Sequence, residues 1–70
     1  MSARVIAERV VGSRKVVGTE WPIVDSVERR QYGARVEWVV TRGLCNGIPT
    51  SASSFRTRRE ALETYEGMSS

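Results

Sequence analysis

The sequence contains no histidine, which removes the commonest general base and metal ligand and the one side chain that ordinarily titrates near neutrality. Its single cysteine, Cys45, excludes an internal disulfide and any cysteine-based zinc site, and fits a reducing compartment. No apolar run approaches the ~18–20 residues of a membrane span, and no charged head with an apolar run and cleavage site opens the chain. With Met1-Ser2 read as an intracellular start, the expected location is the cytoplasm. Lysine is nearly absent too: Lys15 stands alone among eleven basic residues. The others are all arginine, whose planar fork suits phosphates, carboxylates and guanine edges. A GC-rich genome would produce the same preference through codon usage.

Catalysis fits this inventory badly. Cys45 sits among glycine and asparagine with no histidine to activate it. Glu60 and Glu63 share a helix side, but Glu60 is engaged in a cap and acid pairs on short amphipathic helices are usually solvated. No glycine-rich phosphate loop has the required spacing. The expectation is a protein that is not an enzyme and needs no cofactor.

At 70 residues the chain is one domain, residues 1–70, able to bury roughly 60% of its unfolded surface. The core must be thin, and a homodimer would reinforce it. Eleven basic against eight acidic residues give a net charge of +3 and an isoelectric point near 9.8. That balance permits either nucleic acid or an acidic protein surface as partner.

The clearest local signal lies in residues 53–67. Thr57 followed by Glu60 is a capping box: the hydroxyl accepts from the backbone N–H three residues on, and the glutamate reaches back to the cap's own N–H. The helix is expected over 57–66, with Gly67 closing it in the left-handed conformation. Ala61, Leu62 and Tyr65 form its packing side, with Phe55 ahead of the cap and Met68 beyond the end.

The sheet is expected over residues 4–42. Residues 3–11 satisfy both helical spacing and strand composition, and the β-branched content favours a strand. Residues 12–15 read as a turn and Val16-Val17 as the start of a returning strand. Pro22 belongs to a connection or an edge, because it cannot donate to a ladder. Two extended runs either side of Tyr32-Gly33 predict a hairpin. In the second run Ala34, Val36, Trp38 and Val40 share the core face, with Trp38 as large anchor. Residues 43–54 read as a loop, with a short edge strand available at 48–52. The fold class is thus α+β: a small antiparallel sheet of three or four strands packed on one C-terminal helix.

Three basic features exceed what folding needs. Arg56, Arg58 and Arg59 crowd a helix start, where the dipole is already positive and free N–H groups await an anion. The competing explanation pairs Arg56 with Glu60 and Arg59 with Glu63. Arg29, Arg30 and Arg35 gather near Tyr32 on the hairpin, a two-stranded ribbon of the kind that fits a DNA major groove, or else a charged outer face balanced by Glu28 and Glu37. Arg14 and Lys15 could add phosphate contacts, or be ordinary solvated turn residues.

The stretch F-x-T-R-R-E-A, Phe55 to Ala61, resembles the start of the helix in the arm-type (AP2-like) DNA-binding domains of phage and transposon tyrosine integrases. The resemblance implies a three-stranded sheet backed by one helix, with major-groove binding through the sheet. By position, Phe55 and Ala61 would pack, Thr57 and Glu60 would cap, and Arg29, Arg30 and Arg35 would lie near DNA. Two functions therefore stand: a phage or mobile-element accessory protein binding nucleic acid through its arginine-bearing sheet, or a non-catalytic inhibitor or adaptor setting the same arginines against an acidic partner.

Overall fold

The computed structural model describes residues 2–67. Four strands, β1 (Ser2–Val16), β2 (Thr19–Tyr32), β3 (Arg35–Leu44) and β4 (Ser51–Phe55), are followed by one helix, α1 (Arg58–Gly67). The strands lie side by side in chain order, every neighbouring pair antiparallel. The helix packs on one face of this sheet, the α+β arrangement expected. Among the described residues no helix is long and apolar enough to cross a membrane. Met68, expected to pack beyond the helix, lies outside the described residues.

Residues 3–11 are strand, so β-branched composition wins over helical spacing there. The first turn is displaced from its expected place. Residues 12–15 remain in β1, and the chain reverses at Val17 and Gly18, with φ of 48° and 79°. Two positive φ values match the right-handed twist of a tight hairpin. Gly18 adopts this at no cost, whereas Val17, fully exposed, is a β-branched residue where asparagine would be easier. Gly12 is used differently: it sits across from Ile23, just past a bulge at Val11. A second bulge, at Ile6, turns that side chain onto the core.

The sheet extends past its expected end at residue 42. β3 runs on to Leu44, Cys45 and Ile48 exchange both backbone hydrogen bonds at 3.1 and 3.0 Å, and β4 returns over Ser51–Phe55. Most of the expected loop at 43–54 is therefore a tight reversal and an edge strand. Serines read as loop from composition, but on an exposed edge the backbone supplies the pairing and the side chains are left in water. β3 gains one residue opposite Asp25, between the pairs Val24–Leu44 and Ser26–Thr41. Gly43 occupies this bulge with φ of 67°, and a Cβ there would come within 2.5 Å of the Thr50 hydroxyl. Both conformation and space require glycine.

Val27, fully buried, is the centre of the core, with Val40, Ala61 and Tyr65 around it. Trp38, Phe55, Leu62, Ile6 and Ala7 pack against that cluster as half-buried neighbours. Trp38 is thus a wall of the core rather than its centre. Pro22 lies within β2 where that strand pairs with β1 alone, since contact with β3 begins only at Val24. Its missing N–H faces no third strand. Residues 12–23 consequently form a two-stranded arm beyond the helix-covered sheet.

At the helix start the Glu60 N–H donates to the Thr57 hydroxyl at 3.2 Å, the expected cap. The Glu60 carboxylate accepts from that same hydroxyl at 3.0 Å instead of reaching the Thr57 N–H. Gly67 is still helical, so the expected left-handed closure is absent. A side chain from β1 meets the helix end. The Arg9 guanidinium donates to the Tyr65 carbonyl at 2.9 Å, lies 4.3 Å from the Tyr65 ring centroid and faces the Asp25 carboxylate at 3.7 Å. A cation here opposes the negative end of the helix dipole. Asp25, 4% exposed, also accepts from the Gly43 N–H at 2.9 Å.

Candidate functional site

Strand register separates the arginines that the sequence placed together. Arg29 pairs with Trp38 across β2 and β3 and with Arg4 across β1 and β2, so all three lie on the helix-covered face. Arg30 and Arg35 lie on the opposite, open face, opposite Glu37 and Tyr32 respectively. Each has an acid. The Arg30 guanidinium donates to Glu28 at 2.5 Å, and Arg35 donates to Glu37. Glu28, with help from Tyr32, raises the Arg30 pKa above its ordinary value, and Glu37 does the same for Arg35. The open face is therefore charged but locally neutralised, and Val39 on it is buried.

The helix-start cluster is divided as well. Arg59 pairs with Glu63 at 3.1 Å on the exposed side of the helix, a surface contact of little energetic weight. Arg56 lines an open cleft of about 640 Å³ with Arg35, Val36, Glu37, Ser54 and Phe55. This cleft exists because Trp38–Phe55 is the last pair between β3 and β4, leaving the start of β3 without a neighbour on the β4 side. Arg58, the first helical residue, turns the other way.

Arg58 lines a second cleft, of about 360 Å³, together with Arg4, Val5, Ile6, Arg29 and Trp38. Three arginines from three elements line it, and no acid does. Among the described residues none of the three is ion-paired. Arg29 has only a 3.3 Å hydrogen bond to Gln31 and a 5.9 Å approach to the Trp38 ring. Arg4 and Arg29 are directly opposed across the ladder, an arrangement that repels. The adjacent helix N-terminus adds partial positive charge. An anion placed among them would relieve both conflicts.

Arg14 and Lys15 lie in the two-stranded arm, opposite Trp21 and Glu20. The Ser13 hydroxyl donates to Glu20 at 2.7 Å. The arm also exposes Val17 and Trp21, and Val10 and Val11 just before it are exposed as well. Of the eight basic residues singled out from sequence, Arg29 and Arg58 meet in the acid-free cleft and Arg35 and Arg56 in its neighbour. Arg30 and Arg59 are paired elsewhere, and Arg14 and Lys15 are remote. Sequence reasoning passed over Arg4, because its strand was ambiguous and so its facing was undefined. Comparison with protein families, with curated proteins and with solved structures yields no match to this chain.

Proposed function

We propose that this protein is a small, non-catalytic nucleic-acid-binding module of the cytoplasm, of the accessory kind that the integrase-arm resemblance implies, and that it grips phosphate at the start of its helix. One observation carries this reading: Arg4, Arg29 and Arg58 converge on a cleft without any acid. Guanidinium forks match phosphate oxygens, and the helix N-terminus contributes field and free N–H groups. Binding through arginine and phosphate releases counterions, so affinity falls with salt in proportion to the phosphates contacted. Fluorescence anisotropy with a labelled oligonucleotide, repeated over a salt series, tests it. Each single alanine variant at these three positions should reduce the slope of log affinity against log salt by about 1. Binding that ignores salt, or that survives the triple alanine variant, refutes the proposal.

A second reading, a protein-binding adaptor or inhibitor, is favoured by the arm, whose exposed Val17 and Trp21 are better suited to a protein surface than to phosphate. It predicts a partner retained after nuclease treatment and lost when Trp21 is replaced by serine.

A further inference from the structure

We infer that the nucleic acid taken by this module is single-stranded, an inference that rests on the phosphate-binding function proposed above. The row Arg4, Arg29, Trp38, Phe55 crosses all four strands at one end of the sheet. At the usual strand spacing this row spans about 14 Å. An arginine cleft lies at each side of it: Arg4, Arg29 and Arg58 towards β1, Arg35 and Arg56 towards β4. Trp38 lines the first cleft and Phe55 the second, both half-buried. A basic cleft and a second one, in which Arg56 is unpaired while Arg35 meets Glu37, divided by an aromatic wall, are what a single strand uses, with phosphates in the grooves and bases against a π-face.

The open sheet face and the outer side of the helix argue against a duplex. A duplex is met by a ribbon or a helix that projects into its groove. The open face of the β2–β3 ribbon offers Arg30 and Arg35 only beside Glu28 and Glu37. The outer side of the helix presents Glu63 and Glu66 with Arg59. Apart from Arg14, Lys15 and Arg42, which are exposed, the unpaired positive charge of the described residues lines recesses, where a stiff double helix cannot follow it and a flexible strand can.

The test uses the full chain carrying Trp21→Phe, so that Trp38 is the sole tryptophan, with circular dichroism confirming an unchanged fold. Labelled oligothymidine is titrated alone and as its duplex with oligodeoxyadenosine at one salt concentration. The single strand should bind about tenfold more tightly, the equivalent of one stacked base, and should quench Trp38 fluorescence. Arg56→Ala should weaken single-strand binding while leaving the fold intact. A duplex bound equally or more tightly, or single-strand binding that leaves Trp38 emission unchanged, overturns the inference while the phosphate-binding function stands. Failure of both forms to bind overturns the two together.

Discussion

The two ends of the helix receive arginine in opposite ways. At the C-terminal end one arginine, Arg9, finds partners within the fold, the Tyr65 carbonyl, the Tyr65 ring and the Asp25 carboxylate, with only its buried Nε left without a hydrogen bond. At the N-terminal end three arginines share a cleft with no acid and add their charge to a dipole that is already positive. The first arrangement explains itself through folding. The second costs the folded chain something in repulsion, gains from within it only the Arg29 contacts with Gln31 and Trp38, and so points outward to a ligand. An arginine's role is thus set by which end of which dipole it faces and by whether an acid shares its surroundings.

Substitutions that attack each end separately can break this contrast. The largest effect is expected from Arg9→Ala, which strands the buried Asp25 carboxylate with only the Gly43 N–H; the loss should be about 3–5 kcal/mol in urea denaturation. A loss below 1 kcal/mol would make Arg9 another solvated cation and remove the contrast. Thr57→Ala comes next. It deletes the hydroxyl that caps the Glu60 N–H and should cost about 1 kcal/mol by the same measurement. The smallest effect has the opposite sign: Arg4→Glu, facing Arg29 across the ladder, should stabilise by about 0.2–1 kcal/mol. The same variant should bind nucleic acid much more weakly in anisotropy. If Arg4→Glu destabilises the protein instead, the trio is holding the fold together and its claim to a ligand fails.

A control lies away from both ends. Val17 occupies a left-handed turn position with nothing packed on it, so Val17→Asn should raise stability by about 1 kcal/mol without altering binding. A change in binding would bring the arm into the site.

Much of the architecture was legible in the chain because its signals are local. Thr57 and Glu60 announce the helix start through a cap that spans three residues. Alternation in β3 puts Val36, Trp38 and Val40 on the core side without knowledge of any partner. The hairpin at Tyr32-Gly33 carries its own turn residue. The misplaced elements are those whose signals compete or depend on pairing. Gly12 resembled a turn residue until the bulge at Val11 accounted for it, and the serines of β4 are extended only because β3 lies alongside.

The binding surface was less legible, for a related reason. Arg29 and Arg30 are neighbours in sequence and occupy opposite faces of the sheet, as strand geometry demands. Arg4, 25 positions away, becomes the partner of Arg29 only through the β1–β2 register. The sequence by itself determined the kinds of side chain, the α+β class, the cap and the core-facing stripe of β3, since each follows from contacts within a few residues. Tertiary structure alone decided which arginines meet and which find acids. A guanidinium's electrostatic fate depends on charges brought close by pairing, and one residue of register moves a side chain from one face of a sheet to the other.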